Sequence, residues 1–514
     1  MACEYRSTLE KWDFQEVTLK GTAEGNPFLE TEVTGTFTGE KENITVRGFY
    51  DGDGVYKVRF MPSHTGAYTF KISGTGIEEA EGTFTVTEAA GNNHGPVHVK
   101  NTFHFAYDDG TPYYPAGTTC YVWELQSDEL HEKTLQTLKE GYFNKMRMCV
   151  FPKHYDYNQH EPWSYPYEGT PMDSSVLTPD NFMLYNGDKG GNNFDFTRFN
   201  PKHFRHVEES ILELQKLGIE ADLILFHPYD RWGFSLMTHE QDILYLKYVT
   251  ARFAAFRNVW WSFANEWDLM PQKSIADWED FAETVMDNDP YDHLRNIHNC
   301  REFYDQSRPW ITHICAQRID LYKTTELTDE YRNIYQKPVI MDEIAYEGNI
   351  QHGWGNITGE ELTRRFWESA VRGGYSGHGE TYLSDDRILW WSHGGELKGT
   401  SPERIRFLEE IMKETPGTGL KHIEMGWDEN VAVPEEEHHE KETDYDYYLY
   451  YFGFFRPSFR EFYMFKEKDE FEAEVIDTWN MTVTKLPGTF KGPFFRIPLT
   501  GNQYMAIRLR RVGK

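Results

Sequence analysis

Cysteine and long apolar runs are both scarce in this 514-residue chain. The five cysteines, Cys3, Cys120, Cys149, Cys300 and Cys315, include no CxxC pair, which argues against a zinc ribbon. Four of them lie inside apolar, strand-like runs, so we expect free, buried thiols in a reducing compartment. No segment approaches the roughly 18 uncharged apolar residues that a membrane-spanning helix needs.

Basic residues are also in the minority. Lys and Arg number 52 against 83 Asp and Glu, which gives a net charge of −31 with His neutral. Nucleic acids and anionic membranes bind basic surfaces, so we expect neither as a partner. The stretch MACEYRSTLEKWDFQ has no apolar core behind a basic head and is therefore not a signal peptide. We expect a cytoplasmic protein, or a secreted one whose signal has been removed, and the oligomeric state stays open.

Aromatic side chains, in contrast, are plentiful, at 16% of the chain. They suit either large cores or stacking on the flat faces of sugars.

Both ends of the chain have β character. Residues 1–98 contain short alternating runs such as YKVRFMP between turns such as DGDG, which predicts an Ig-like β-sandwich. Residues 416–514 predict a second, smaller β-sandwich after a solvated acidic run at 434–444.

The middle of the chain, residues 99–415, alternates strands with helices. Helical patterns occur at 128–141, 204–218 and 358–374, the last with Thr358 and Glu361 in the spacing of a capping box. Eight strands with intervening helices match a (β/α)8 TIM barrel in the α/β class. The main alternative, a doubly wound open sheet, should carry a GxGxxG turn, which PAGTTCYVW lacks. The predicted strands are 113–120, 143–151, 220–227, 258–265, 294–300, 310–316, 337–344 and 373–380.

A long insertion, residues 152–200, separates the second and third strands. Loops that leave barrel strands emerge on the face where ligands bind, and loops beyond about 12–15 residues are uncommon unless functional. We expect this segment to be ordered and to form one wall of a substrate cleft. Its aromatic residues Trp163, Tyr165, Tyr167 and Tyr185 are the candidates for contacting a sugar chain.

Two predicted strands end in a carboxylate. The fourth closes with SFANEW, which contains Glu266, and the seventh closes with VIMDE, which ends in Glu343. Strands 4 and 7 lie nearly opposite each other in a barrel, so both side chains can face one cleft. Cleaving a glycosidic bond needs two carboxyl groups that flank it. The pair therefore indicates a glycoside hydrolase.

These motifs support a family resemblance. NEW after strand 4 and DE after strand 7 resemble the retaining glycoside hydrolases of clan A, which include cellulases and mannanases. FYDGDGVYKVRFMP and VIDTWNMTVTKLPG resemble a branch with an N-terminal Ig-like domain of unknown function, an apiosidase-like barrel and a C-terminal β-domain. The resemblance covers nearly the whole chain. It implies Glu343 as the nucleophile and Glu266 as the acid/base.

The resemblance also implies supporting residues. Arg147 in KMRMCVF matches an arginine that contacts the nucleophile, and Asn265 matches a residue that binds the sugar 2-hydroxyl. His227 in LFHPYD resembles a histidine that binds a sugar hydroxyl. Either His298 or His313, after strands 5 and 6, fits the polar group near the nucleophile.

An aromatic floor and a tyrosine complete the family pattern. Trp390 and Trp391 follow strand 8, where the clan keeps a tryptophan under the reacting sugar, and we expect Trp391 to bind substrate. The clan often places a tyrosine on strand 6 beside the nucleophile. This chain reads THICAQ there, so the source of that contact is open.

The sequence therefore predicts a retaining glycosidase that cleaves β-glycosidic bonds of plant-type oligo- or polysaccharides. Trp267 and Phe263 offer Glu266 the apolar surroundings that keep a carboxyl group protonated. No cofactor and no metal is expected, and no HxH follows strand 1, as a metal-dependent barrel hydrolase would require. A transglycosylase with the same covalent intermediate and a catalytically weak carbohydrate-binding barrel are the alternatives. The sugar, the linkage, and endo or exo action are not determined.

Overall fold

The protein is described by a computed structural model that covers residues 3–425 and 430–513. Its central feature is a parallel sheet of eight strands, each within the predicted range or one residue beyond it. The strands are Ala116–Thr119 (β1), Lys145–Cys149 (β2), Glu220–Phe226 (β3), Val259–Ala264 (β4), Arg295–Asn296 (β5), Ile314–Gln317 (β6), Val339–Glu343 (β7) and Tyr375–His378 (β8).

The sheet curls into a nearly closed barrel. Its order is β5-β4-β3-β2-β1-β8-β7-β6, with β1 paired in parallel to both β2 and β8. The two ends of this order, β5 and β6, meet through a hydrogen bond from the Thr312 amide to the Arg295 carbonyl at 3.0 Å. Every residue of β2, β3, β4 and β7 is buried. Strands covered on both faces are typically near-continuous apolar runs, and these strands follow that pattern apart from a few buried charged residues such as Lys145 and Asp222. The chain therefore has the fold of a (β/α)8 barrel.

Helices follow most of the strands and cover the outside of the barrel. The Thr358 hydroxyl accepts from the Glu361 amide at 3.2 Å, as predicted for a helix N-terminus, but the Glu361 carboxylate binds Arg364 and Arg365 and so does not complete the capping box. The connection from β5 to β6 is irregular. The helices are Asp128–Leu138 (α1), Pro201–Lys216 (α2), His239–Phe253 (α3), Ile275–Asn288 (α4), Thr328–Tyr335 (α5), Gly359–Val371 (α6), Trp390–His393 (α7) and Ser401–Lys413 (α8).

The N-terminal region is built from two sheets. Five of its strands form one sheet and three form another, and both contribute to a hydrophobic core that contains Phe37, Val58 and Phe70. Arg59 joins this region to the barrel, because its Nη1 lies 2.8 Å from Oε1 of Glu208 on α2. The strands are Thr8–Glu10, Gln15–Lys20, Val33–Thr38, Asn43–Arg47, Phe49–Tyr50, Val55–Phe60, Gly66–Gly74 and Ala80–Thr87, with a short helix at Pro27–Glu30.

A three-stranded antiparallel sheet covers the N-terminal end of the barrel. It consists of Val97–Lys100, His104–Tyr107 and Pro112–Tyr113. The ring of Phe105 lies 5.7 Å from the rings of both Trp260 on β4 and Tyr375 on β8. This end is therefore filled by packed aromatic side chains, and the opposite end is left for a ligand.

The C-terminal region is also β-rich, with a core that contains Tyr448, Phe471 and Phe495. The acidic run 434–444 is largely exposed, as predicted, except that buried Glu435 pairs with Arg332 and, at 3.1 Å, with His104. Over the described part of the chain, no helix is both long and apolar enough to cross a membrane. The strands are Leu420–Ile423, Asn430–Pro434, Tyr447–Tyr451, Phe459–Phe462, Glu470–Asp477, Thr482–Lys485, Phe490–Lys491, Phe495–Pro498 and Met505–Arg511.

Candidate active site

Two buried glutamates lie at the C-terminal end of the barrel, the end at which TIM-barrel enzymes place their active sites. Glu343 is the last residue of β7 and is 8% exposed. Glu266 follows β4 by two residues and is 6% exposed. Its backbone is left-handed, with φ 58° and ψ 59°. A non-glycine residue in this region is uncommon and costs of order 1 kcal/mol, and such strain concentrates at functional sites.

The side chain of Gln317, the last residue of β6, connects the two carboxylates. One end of its amide lies 3.2 Å from Glu266 Oε1 and 3.1 Å from Glu343 Oε2. An amide nitrogen at this end donates to both oxygens, whereas a carbonyl oxygen would face two acceptors, so the nitrogen points inward. The two carboxylate oxygens are therefore at most roughly 6.3 Å apart, the sum of the 3.2 and 3.1 Å contacts.

Glu343 is surrounded by donors. Its Oε1 accepts from Arg147 Nη1 at 3.0 Å and from the Tyr121 hydroxyl, and it lies 3.3 Å from His298 Nε2. Burial by itself would raise the pKa of Glu343. The charge and hydrogen bond of His298, the charge of Arg147 and the hydrogen bond of Tyr121 outweigh burial and hold that pKa well below its ordinary value. Glu343 is therefore ionised at neutral pH.

Glu266 has the opposite electrostatic environment. Burial raises its pKa above the ordinary value, and repulsion from Glu343 raises it further. A hydrogen bond from the Tyr229 hydroxyl and attraction by Lys153 oppose these effects only in part. Two carboxyl groups whose surroundings push their pKa values apart can serve as an acid and a nucleophile in one site.

Asn265 and Arg147 form the floor beside Glu343. The Asn265 Oδ1 accepts from Arg147 Nη2 at 3.0 Å and from the Tyr121 hydroxyl at 3.1 Å. One layer deeper, Lys145 Nζ lies 2.8 Å from Asp342 Oδ1 and 2.7 Å from an oxygen of Asp222. The Asp342 carboxylate is thus neutralised inside the barrel, and only its neighbour Glu343 reaches the pocket.

A pocket of about 450 Å³ lies over the two glutamates. Within the described ranges, no group of three or more His, Cys, Asp or Glu side chains is arranged to hold a metal ion. The lining residues are Tyr121, Lys153, Tyr155, Tyr229, Asn265, Glu266, Gln317, Ile319, Glu343, Ala345, Tyr346, Trp354 and Trp391.

Some residues singled out in the sequence lie away from the pocket. His313 precedes β6 and packs at the N-terminal end of the barrel, 5.3 Å from the ring of Trp260. His298, not His313, is therefore the histidine beside Glu343. Trp390 donates to Thr118 at 2.8 Å inside the protein, so Trp391 is the tryptophan of the pocket.

His227 is buried at the end of β3, 3% exposed, without lining the pocket. Its Nε2 lies 3.3 Å from the Phe151 carbonyl. Burial and the charge of Lys153 lower the pKa of His227 to about 3, so the ring is neutral. The contact between His227 and a sugar hydroxyl stays a prediction.

The insertion 152–200 reaches the pocket through Lys153 and Tyr155 and not through the aromatic residues expected to do so. Tyr167 is buried and stacks on Phe199 at 5.2 Å. The other predicted wall residues are likewise outside the pocket lining, and the insertion contains a hairpin of Tyr167–Thr170 with Asn193–Phe199. Tyr165 also packs within the insertion, 5.4 Å from the ring of Phe194, whereas the partly exposed Trp163 stacks on His206 of α2 at 4.1 Å.

The residues that sequence reasoning missed follow barrel strands within a few positions. Tyr121 comes after β1 and takes the place beside the nucleophile that the clan fills from strand 6. Tyr229 follows β3, and Gln317 ends β6 in the run THICAQ. Active-site groups in barrels occur at the ends of strands, so these positions could have identified the residues as candidates from the sequence.

Comparison with protein families gives matches to three segments of the chain. Residues 99–437 match the family described as apiosidase-like, catalytic domain. Residues 8–75 and 427–510 match two domains of unknown function, DUF5060 and DUF5605. A search of curated proteins found no match.

Among solved structures, the chain is similar to a candidate glycoside hydrolase from Bacteroides vulgatus ATCC 8482. The two are 37% identical over 99% of this chain and 100% of that one, with a TM-score of 0.90. A family 39 glycoside hydrolase from Bacteroides cellulosilyticus WH2 is 12% identical over 99% and 100%, with a TM-score of 0.44. An endo-1,4-β-mannanase from Rhizomucor miehei is 13% identical over 59% and 94%, with a TM-score of 0.40. The first of these similarities extends over the barrel and both flanking β-regions.

Proposed function

The chain belongs to the family with an apiosidase-like catalytic domain, and from this premise we propose that it is a glycoside hydrolase of the clan A type, which hydrolyses β-glycosidic bonds with retention of configuration. Glu343 is the nucleophile and Glu266 the acid/base. The observation that carries the proposal is the arrangement of these two carboxyl groups, close together and with pKa values moved in opposite directions.

The separation is compatible with a retaining pair. Retaining pairs lie about 5–5.5 Å apart, because the nucleophile contacts the sugar directly, whereas inverting pairs leave room for water at about 6.5–9.5 Å. The contacts of Gln317 place one oxygen of Glu266 and one oxygen of Glu343 at most roughly 6.3 Å apart, the sum of 3.2 and 3.1 Å. This upper limit accommodates the retaining separation.

The protonation states support the same assignment. In the first step an oxygen of Glu343 bonds to the anomeric carbon, the glycosidic C–O bond breaks, and Glu266 gives its proton to the leaving oxygen. In the second step a water molecule gives a proton to Glu266, and the water oxygen bonds to the anomeric carbon. The bond between that carbon and Glu343 breaks, which releases Glu343 as a carboxylate. The first step needs Glu343 ionised and Glu266 protonated, and the lowered pKa of Glu343 and the raised pKa of Glu266 both act in that direction.

The surrounding side chains have roles that follow from their contacts. Asn265 is held by Arg147 and Tyr121, so its amide NH2 is free to donate to a substrate hydroxyl beside the nucleophile. Trp391 and Trp354 form an aromatic wall, with ring centroids 5.0 Å apart, on which a sugar face can stack. We take the substrate to be a plant-type oligo- or polysaccharide. The pocket favours exo action at a chain end.

The domain ranges complete the proposal. We take residues 1–98 as an Ig-like β-sandwich, 99–415 as the catalytic barrel and 416–514 as a C-terminal β-sandwich, of which residues 1–2, 426–429 and 514 lie outside the described part. The buried pair of Arg59 and Glu208 supports a role for the N-terminal region in packing against the barrel.

Azide rescue of two variants tests the assignment. Glu266→Ala should still form the covalent intermediate from a nitrophenyl glycoside, whose leaving group needs no proton, and azide should then speed release as a glycosyl azide of retained configuration. Glu343→Ala should lose the retaining reaction, since no group is left to bond to the anomeric carbon. Glu302→Ala, which removes an exposed carboxylate on the same face, is the control and should behave as wild type. Retained product from Glu343→Ala together with an inert Glu266→Ala would reverse the assignment.

A further inference from the structure

A buried lysine forms part of the pocket wall beside both glutamates. Lys153 is 5% exposed, and its Nζ lies 3.5 Å from the ring centroid of Tyr121, 4.5 Å from Tyr229, 4.6 Å from Trp391 and 5.4 Å from Tyr155. Aromatic faces at such distances attract a cation. They stabilise the charge of the ammonium but replace few of the hydrogen bonds that its three N–H donors made in water.

The other cations at the site already have acceptors. Arg147 donates to Glu343 and Asn265, and His298 lies against Glu343. For Lys153, no group in residues 3–425 or 430–513 accepts a hydrogen bond from Nζ or forms an ion pair with it. Lys153 is thus the cation whose donors are left for a ligand.

A free ammonium in this position works against the hydrolysis of a neutral sugar. The transition state of glycoside hydrolysis carries positive charge on the sugar ring. An ammonium that lines the same pocket repels that charge. A buried cation without hydrogen-bond acceptors is also costly in the unliganded protein. Both penalties disappear when the bound sugar places an anion against Nζ.

We propose that Lys153 is a specificity-determining residue that binds an anionic group on the glycosyl unit in the pocket, so that the substrate is an acidic sugar. The anion is a carboxylate, as in a hexuronic acid, or a sulfate ester. This inference rests on the proposed function for the reaction, but the binding that it describes does not depend on turnover.

The protonation of Lys153 is consistent with this role. Burial lowers its pKa to about 8, while attraction by Glu266 and Glu343 acts in the opposite direction. The side chain is therefore mostly cationic at neutral pH. The pocket combines this ammonium with two carboxyl groups, of which Glu266 has a pKa raised by burial and by repulsion from Glu343.

The test compares matched ligands that differ only in the anion. Binding of glucuronate, galacturonate and mannuronate is measured by calorimetry against glucose, galactose and mannose, and 6-sulfated hexoses form the second anionic arm. Nitrophenyl hexuronides and the corresponding hexosides give kcat/KM. Lys153→Met removes the charge and keeps the length of the side chain. Lys202→Met is the matched control, because that ammonium also lies over a ring, 4.7 Å from the centroid of Trp163, outside the pocket.

In wild type, one anionic sugar should bind at least about 10-fold more tightly than its neutral partner, and its glycoside should be preferred about 100-fold in kcat/KM. Lys153→Met should remove both preferences and Lys202→Met neither. A preference for the uronates would identify the anion as a carboxylate, and a preference for the 6-sulfated hexoses would identify it as a sulfate ester.

The outcomes separate this inference from the proposed function. Anion binding that depends on Lys153 without any turnover would support the inference and contradict the hydrolase assignment. Turnover of neutral glycosides with no preference for anionic ones in wild type would overturn the inference and leave the hydrolase assignment standing, whether or not Lys153→Met folds.

Discussion

The coupling between the two glutamates can be tested by removing one charge. Repulsion from Glu343 is the second contribution, after burial, to the raised pKa of Glu266. Glu343→Gln removes that negative charge and keeps the shape of the side chain. The cations Arg147 and His298 remain nearby. The pKa of Glu266 should therefore fall in this variant.

The size of the effect follows from the geometry. The nearest oxygens of the two groups are at most roughly 6.3 Å apart, from the 3.2 and 3.1 Å contacts of Gln317. At a separation of about 6 Å and an effective dielectric constant of about 20, two unit charges repel by about 2.8 kcal/mol, equivalent to a pKa difference of about 2. We expect the pKa of Glu266 to fall by about this amount. The same fall accompanies formation of the covalent intermediate, since Glu343 is then esterified, and it would convert Glu266 from an acid into a base.

The assay is an NMR titration of protein labelled with ¹³C at the glutamate carboxyl groups. Glu266→Gln identifies the Glu266 resonance by its disappearance, and the alkaline limb of kcat/KM in wild type gives an independent value for the same group. A change in the pKa of Glu266 of less than about 0.5 in Glu343→Gln would refute the reasoning. It would mean that burial alone sets the protonation of Glu266 and that the carboxylates are effectively uncoupled.

Three further predictions concern single residues. Tyr229→Phe removes a hydrogen bond that lowers the pKa of Glu266. The alkaline limb of the kcat/KM profile should therefore move to higher pH, by about 1 unit, which is the size expected for a hydrogen bond to a charged group. A shift of this limb to lower pH would contradict the contact. Glu266→Gln should match wild type in thermal stability below about pH 4 and exceed it at pH 8, because a raised pKa in the folded state costs stability only once the pH passes the ordinary value. Melting curves that differ equally at both pH values would exclude this linkage. His298→Ala should lower kcat/KM about 10–100-fold and move the acid limb of the profile to higher pH, because His298 lowers the pKa of Glu343. His313→Ala should instead reduce stability with little change in kcat/KM. Equal losses of kcat/KM in the two variants would contradict the placement of these histidines.

The barrel and its two glutamates were predictable from the sequence because both depend on one simple pattern. Strands covered on both faces are near-continuous apolar runs, so VWWSFA and VIM stand out and the polar residues after them are visible. Glu266 and Glu343 follow those ends directly. Arg147 and Asn265 lie in or directly after strands, so their neighbours in the barrel follow from the topology.

The misplaced and missed residues depend on backbone detail that composition does not encode. The run WITHICA is apolar enough to predict a strand from residue 310, but β6 begins at Ile314, which moves His313 to the opposite end of the barrel. Lys153 and Tyr229 lie several residues beyond β2 and β3, where irregular backbone sets the direction of each side chain. No periodicity of strand or helix predicts that direction.

Under the proposed mechanism, β2 contributes to the choice of nucleophile although it carries neither glutamate. Lys145 and Arg147 are two residues apart on this strand, so both side chains point to the same face, into the barrel. Lys145 meets Asp342 and Arg147 meets Glu343 on β7. On the β4 side, Nη2 of Arg147 donates to Asn265, a neutral side chain, so Glu343 is the carboxylate that pairs with the Arg147 charge. Glu266, one residue further along, has no contact with Arg147, and burial and repulsion from Glu343 outweigh the hydrogen bond of Tyr229 and the charges of Lys153 and His298. The contribution of Arg147 therefore goes to Glu343, where it adds to the larger contribution of His298, and the pKa values of the two glutamates move in opposite directions.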